Sequence, residues 1–345
     1  MSETRVPVTL LTGFLGAGKS TFLNAILARA EAGKIAVIVN EYGDVGLDHD
    51  LIEATREHVT LLASGCVCCT IRGDLARTLP DLIARRDWGD FDFTRIVIET
   101  TGLADPAPIQ RTLVTDPELA KCAYLDGIVT LADCVAGPRT LDAHFEAISQ
   151  AAMADLILLT KTDLVSEDET AAFRSRLARL NTAAKIKVAA EVAKTPEVLW
   201  GCSAMRRGVT MADARAWIAP PPSVDPLANL SGLAPGPQAP LATHHDGRIT
   251  TASVVLEAPL KRRALGEWLR DLSTLYGEKI LRMKGIVFLE GEAAPTVFHA
   301  VQHVFDAPVP LTTWTGGDTT SRVVIIARDV PAAVLQERLA QLRKA

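Results

Sequence analysis

Val6-Pro7-Val8-Thr9-Leu10-Leu11-Thr12-Gly13-Phe14-Leu15-Gly16-Ala17-Gly18-Lys19-Ser20-Thr21 decides the reading of this chain. Gly13 to Ser20 fits G-x-x-x-x-G-K-[ST] with no residue left over. The context fits as well: an apolar run rich in β-branched residues precedes the loop, and an amphipathic segment over 22–30 follows it. Strand, glycine loop and helix start together make a phosphate cradle. Glycines let backbone N–H groups turn inward and approach an anion closely. The helix N-terminus adds free donors and a favourable dipole. Gly13, Gly16, Ala17, Gly18, Lys19, Ser20 and Thr21 are therefore the candidate phosphate-binding residues. In this pattern Lys19 reaches the β- and γ-phosphates and the Ser20 hydroxyl holds Mg²⁺.

Working outward, residues 34–40 (KIAVIVN) read as a second strand, apolar enough to be buried on both faces. The loop over 40–48 carries Glu41, Asp44 and Asp48 and lies where a switch loop belongs, after a strand end near the phosphates. A buried strand over 95–98 runs into Glu99-Thr100-Thr101-Gly102. An acidic residue at a strand end with a glycine three positions on is the Walker B arrangement. The carboxylate orients Mg²⁺, and the glycine N–H meets the γ-phosphate. Lys19, Ser20, Glu99 and Gly102 are the candidate catalytic set for attack of water on that phosphate. Strands over 126–131 and 155–160 follow, and the second ends in Thr160-Lys161-Thr162-Asp163. This is close to the guanine-reading N-K-x-D, with Thr160 where asparagine is usual. Asp163 accepts from guanine N1 and N2, the Lys161 stem packs on the base, and Ser203-Ala204 matches a second base-side loop. GTP is favoured over ATP on these grounds, with a P-loop ATPase or kinase as the competing class.

Cys66-Val67-Cys68-Cys69 follows a short strand over 59–62, and a helix is expected over 70–86. A loop at a strand end can fold three thiolates toward one ion, whereas free cysteines also serve as hydrophobic filler. Cys122, Cys134 and Cys202 are isolated and read as filler. The 345 residues suggest two domains, and 48% hydrophobic with 22% charged residues is ordinary for a soluble globular protein. A net charge of −5 gives no basic footprint for nucleic acid, and no apolar run approaches a membrane span. A cytoplasmic protein is expected, without nucleic-acid or membrane partners. Seven prolines between Pro220 and Pro240 mark an extended linker. The expected division is 1–219, 220–240 and 241–345. The last unit reads as strands over 249–256, 279–289, 296–305 and 321–327 with helices over 260–276 and 330–342. His244-His245-Asp246 and the pair His299 and His303 are left without an assigned role.

The motifs GFLGAGKS, NEYGDVGLD, GCVCC, ETTGLADP and TKTDL, with LRMKGIVFLEG, HAVQHVF and SRVVIIARD later on, resemble the CobW-type GTPases over nearly the whole chain. These are metal-handling P-loop GTPases related to nickel-inserting accessory proteins. The resemblance implies an α/β fold: a P-loop GTPase domain with a mostly parallel sheet flanked by helices, plus a smaller α+β C-terminal domain. It implies slow conversion of GTP to GDP, with Mg²⁺, coupled to loading Zn²⁺ or Co²⁺ onto a client protein. It implies a metal site of Cys66, Cys68 and Cys69 beside the nucleotide, with Glu41 near the metal or the attacking water, and Glu99 in place of the usual Walker B aspartate. The long His-rich segment of many members is reduced here to His244-His245-Asp246. The alternative within this reading is a GTP-gated metal buffer or sensor without client transfer. A second copy of the chain is a further candidate partner.

Overall fold

The computed structural model describes residues 5–29, 35–40, 58–61, 67–71, 75–202, 248–302, 304–305, 308–311 and 319–344. Strands β1 (Val6–Gly13), β2 (Ile35–Asn40), β3 (His58–Leu61), β4 (Val67–Ile71), β5 (Arg95–Thr100), β6 (Ala123–Asp133), β7 (Leu156–Thr160) and β8 (Lys185–Val188) form one sheet in the order β3-β4-β2-β5-β1-β6-β7-β8. Neighbours run parallel except β3, which is antiparallel to β4. Helices α1 (Lys19–Leu27), α2 (Leu75–Asp87), α3 (Ala107–Thr115), α4 (Leu119–Cys122), α5 (Gly137–Ala143), α6 (Phe145–Met153), α7 (Glu167–Leu180) and α8 (Ala189–Val192) alternate with the strands.

Alternation along the central strands feeds two cores. Leu10, Ile96 and Ile98 join a cluster on one face, and Leu11 and Val97 join another on the opposite face. All four central strands end at one edge, where Gly13, Thr100, Asp133 and Thr160 begin the loops that concern function. Two expectations change here. Cys68 and Cys69, expected in a loop at a strand end, lie within strand β4. Thr70 and Ile71, expected to open the helix, continue that strand, the described helix running Leu75–Asp87. β4 finds an open edge on β2, and its apolar, β-branched residues suit a strand better than a first helical turn.

The second unit comprises β9 (Ile249–Leu256), α9 (Arg262–Tyr276), β10 (Ile280–Val287), β11 (Thr296–Val301), β12 (Val304–Phe305), β13 (Val309–Pro310), β14 (Ser321–Arg328) and α10 (Ala332–Gln341). Its antiparallel sheet runs β12-β11-β10-β14-β9, with β13 also on β11. The expected strand over 296–305 is instead a tight hairpin, Val301 facing Val304, turned by Gln302 at φ 55°. α9 and α10 cover one face through Leu265, Trp268, Leu272, Leu335 and Leu339. The other face lies on the first domain: Leu281, Val301 and Ile326 belong to the same buried cluster as Leu79, Ile96 and Met153. A bulge between Ile280 and Arg282 shifts the alternation of β10 by one residue. Leu281 and Arg282 therefore both meet the first domain, while Ile280 and Met283 stay under the helices.

Candidate functional site

β1 delivers the loop. At Gly13 (φ 143°) an added Cβ would stand 2.6 Å from the Leu131 carbonyl oxygen of β6, so no larger residue fits where the chain leaves the sheet. α1 starts at Lys19, and the Lys19 ammonium donates to the Gly13 carbonyl at 2.7 Å and to that of Phe14 at 3.3 Å. Burial lowers the Lys19 pKa from the ordinary lysine value, an effect opposed by the Glu99 carboxylate. The Ser20 hydroxyl donates to Glu99 Oε1 at 2.8 Å. Glu99 is buried at the end of β5, its backbone in register with Leu11. One residue on, the Thr100 hydroxyl donates to Thr12 Oγ1 at 2.9 Å, tying β5 to β1 below the loop. Ser20 and Glu99 thus form a hard-oxygen pair at the mouth of the cradle, the donor type that suits Mg²⁺.

The next loop leans on the first. A Cβ at Gly102 would lie 2.6 Å from the Leu15 nitrogen, so only glycine allows this approach to the phosphate loop. Gln150 of α6, buried, donates its amide hydrogens to the carbonyls of Gly102 and Ala104, both at 3.1 Å. Asp105 accepts from the Ala107 N–H at 3.0 Å and starts α3. Gln150 is not legible as a site residue; its only signal is a lone amide in the apolar run Ala147 to Met153.

On the base side, the buried Thr160 hydroxyl donates to the Ala17 carbonyl at 3.0 Å, so threonine here still ties β7 to the phosphate loop. Lys161 adopts the left-handed region (φ 56°) and its ammonium pairs with Asp133 Oδ2 at 2.7 Å. Asp133 Oδ1 meanwhile accepts from the N–H groups of Val135 and Ala136. Asp163 is exposed in the short turn Thr162–Leu164. Ser203 lies outside the described residues. Gly201, two residues earlier in the sequence, donates to Asp126 Oδ2 at 2.8 Å, and Asp126 lies on β6 abreast of Val8 and Thr9 of β1. Four residues separate that level from Gly13, about 13 Å of strand. The residues that leave the sheet beside Thr160 are instead Ala189 and Ala190, after β8.

Cys68 and Cys69 lie within β4, their backbones paired with Val37 and Ile38 of β2. Ile38 in turn pairs with Ile98, the residue before Glu99. Cys66 and Glu41 lie outside the described residues, as do Asp44, Asp48, His244, His245, Asp246 and His303. Among the described residues no three His, Cys, Asp or Glu side chains are grouped to hold a metal ion. The other thiols are held neutral by burial: Cys202 is pushed up to about 12, Cys134 up to about 11, and Cys122 upward. His299 is buried on β11, its Nε2 3.0 Å from the Gln110 amide of α3. Among the described residues no helix is long and apolar enough to cross a membrane.

Comparison with known proteins agrees with this architecture. Residues 7–188 match the family described as CobW/HypB/UreG, nucleotide-binding domain, and residues 249–343 match the cobalamin synthesis protein cobW C-terminal domain. The chain is 32% identical over 346 residues to the zinc chaperone YjiA of Escherichia coli, covering 98% of this chain and 99% of that one. It is 39% identical over 188 residues to the zinc-regulated GTPase metalloprotein activator 1 of Schizosaccharomyces pombe, covering 52% and 45% respectively. Two solved structures of the bacterial GTPase superpose over 99% of this chain at 30% identity. The Zn(II)-bound form gives a TM-score of 0.70. The Zn(II)-bound form of a triple mutant, with one glutamate and two adjacent cysteines replaced by alanine, gives 0.72. With its two domains matched in sequence order and its fold shared with the bacterial GTPase, this chain belongs to the CobW/HypB/UreG family of P-loop proteins.

Proposed function

We propose that this chain is a GTP-hydrolysing metallochaperone, which takes up a divalent transition metal, zinc foremost, and passes it to a client protein. The observation that carries the reading is the convergence of Lys19, the Ser20–Glu99 pair and the Gly102 loop on one sheet edge. In the hydrolytic step Lys19 exchanges its carbonyl partners for phosphate oxygens and holds them as charge shifts toward the leaving group. Ser20 and Glu99 hold Mg²⁺, which when bound neutralises charge on the β- and γ-phosphates. The Gly102 N–H donates to the γ-phosphate, so the loop behind it distinguishes GTP from GDP. Asp163 takes the guanine edge and the Lys161 stem covers the ring. We assign the base-side backbone donors to Ala189 and Ala190, because they leave the sheet beside Thr160 and Gly201 does not.

Cys66, Cys68 and Cys69 are the proposed metal ligands, with Glu41 or a client group in an open position that allows release. The strand register sets Cys69 two strands from Glu99 and one residue apart in level, which favours coupling to the nucleotide. Successive residues of a strand leave opposite faces, so holding one ion with both Cys68 and Cys69 requires this stretch to depart from strand β4 when the metal binds. Zinc is preferred because thiolates favour it and because the relatives above are named for it. The test is competitive zinc titration against a chelating dye with Mg·GTP analogue, with Mg·GDP and without nucleotide. Zinc is expected to bind at least tenfold tighter in the GTP state. By reciprocity zinc then tightens GTP tenfold, about 1.4 kcal/mol. The bacterial relative is Zn(II)-bound even as the triple mutant, so the quantity to follow is the nucleotide-sensitive zinc, not total zinc. Equal affinity in the three states overturns the coupling. Retention of the nucleotide-sensitive zinc in a combined Cys66→Ser, Cys68→Ser, Cys69→Ser protein overturns the site.

A further inference from the structure

The C-terminal sheet grips the nucleotide-binding domain on either side of the Gly102 loop. On one side is α6, whose Gln150 holds the carbonyls of Gly102 and Ala104. The second domain holds both ends of this helix. At its start, the Phe145 ring lies 5.0 Å from the Arg328 guanidinium and 5.5 Å from that of Arg248. At its end, Arg282 donates to the Met153 carbonyl and to the Asp155 carboxylate, and the Lys284 ammonium lies 3.0 Å from the same Asp155 oxygen. On the other side is α3, which the loop enters directly. There His299 meets Gln110 at 3.0 Å and Gln302 accepts from the Arg111 guanidinium. Gln302 is itself held in its left-handed conformation, its N–H donating to the Ile280 carbonyl at 2.8 Å.

Packing alone does not account for the two glutamines. The carbonyl oxygens of Gln110 and Gln150 are buried with no hydrogen-bond partner among the described residues. An unpaired buried oxygen costs about 1–3 kcal/mol, and a leucine would fill the same space without that cost. What both amides retain is a set of donor hydrogens: one aimed at the loop, the other at the C-terminal sheet.

We propose that the C-terminal domain sets the position of the γ-phosphate-sensing loop, with Gln150 and Gln110 as positioning residues. The inference rests on the reading above that the Gly102 N–H meets the γ-phosphate. It makes discrimination of GTP from GDP, and turnover, depend on residues of the other domain that stand remote from the nucleotide. GDP has no γ-phosphate for Gly102 to meet, so its affinity is the internal control for damage to the cradle.

The experiment measures affinities of the full-length protein for GDP and for a non-hydrolysable GTP analogue, with kcat, KM and Tm for each variant. Gln150→Leu is expected to weaken the GTP analogue fivefold or more and to lower kcat, with GDP affinity within twofold of wild type. Gln150 is buried, so a second variant guards against misfolding: Arg248→Ser with Arg328→Ser, which releases Phe145 from the half-exposed side. It is expected to shift the same ratio two- to threefold with GDP binding intact. Gly102→Ala tests the underlying reading by itself, because its Cβ would strike the Leu15 backbone. If Gly102→Ala leaves the GTP-to-GDP ratio unchanged, the placement of the γ-phosphate is wrong. If Gly102→Ala changes the ratio but Gln150→Leu and the double arginine variant do not, the positioning role is overturned, whatever happens to Tm. Parallel loss of GTP and GDP affinity in both variants also overturns it.

Discussion

Thr160 shows how much a single hydroxyl can replace. It stands where an asparagine is usual in a guanine-reading motif, yet its Oγ1 reaches the Ala17 carbonyl at 3.0 Å in a buried setting. Thr160→Val keeps the shape and leaves that carbonyl without its donor. A loss of about 1–2 kcal/mol in stability follows, roughly a five- to thirtyfold shift in the folded-to-unfolded ratio, and the phosphate loop loses its brace. GDP and the GTP analogue are expected to weaken together in calorimetry, since the phosphate loop serves both. Unchanged affinities would show that the brace is not needed. Residues of this kind divide sharply in legibility. Gly13 to Ser20, Glu99, Gly102 and Lys161 are readable because each motif is contiguous and its chemistry follows from local geometry. Gln150 and Asp133 act across 48 and 28 positions of sequence, and no local pattern announces them.

Elements were legible where periodicity met a strong boundary signal. α7 opens on a capping box, with the Ser166 hydroxyl accepting from the Glu169 N–H and the Glu169 carboxylate reaching back to Ser166. The segment after Cys69 had no such signal, and an open sheet edge decided it for strand. Likewise the hairpin at Gln302 lacks glycine or proline, so a continuous strand over 296–305 was the natural expectation. Within β10, Gly285 pairs with Phe298, and an added Cβ would lie 2.2 Å from the Phe298 ring. Gly285→Ala is therefore an overpacking change in a sheet with helices on one side and a domain on the other. It is expected to cost about 1–3 kcal/mol, read as a lower urea midpoint. An unaltered midpoint would mean that the ring has room to move.

At the scale of the molecule, the proline-rich stretch advertised two units but not their contact. The sheet of the second domain buries its inner face in the core of the first, and the charges there decide the response to pH. Burial opposes ionisation of Asp155, but Arg282 and Lys284 outweigh it and hold the carboxyl below the usual range. A carboxylate lowered in the folded state stabilises above its unfolded pKa, about 3.9, and that stability drains as pH falls below it. Lys284 is pushed down to about 8 by burial, against the pull of Asp155. The unfolded chain thus binds the extra proton between about 8 and 10.4, and stability rises with pH across that window. The urea midpoint should accordingly fall from pH 5 to pH 3, with both domains lost in one transition. Asp155→Asn should flatten that acid limb while costing about 3–5 kcal/mol at pH 7, because two buried cations lose their anion. An acid limb unchanged by Asp155→Asn would place its origin elsewhere. The same cluster bears on how the chain is made. Asp155 and Arg282 are 127 residues apart, and a ribosome adding about 5–20 residues per second needs about 6–25 s to cover that distance. Throughout that interval the nascent first domain carries a carboxylate whose counter-charge has not yet been synthesised, so its edge must stay hydrated, open and in need of shelter until the second sheet arrives.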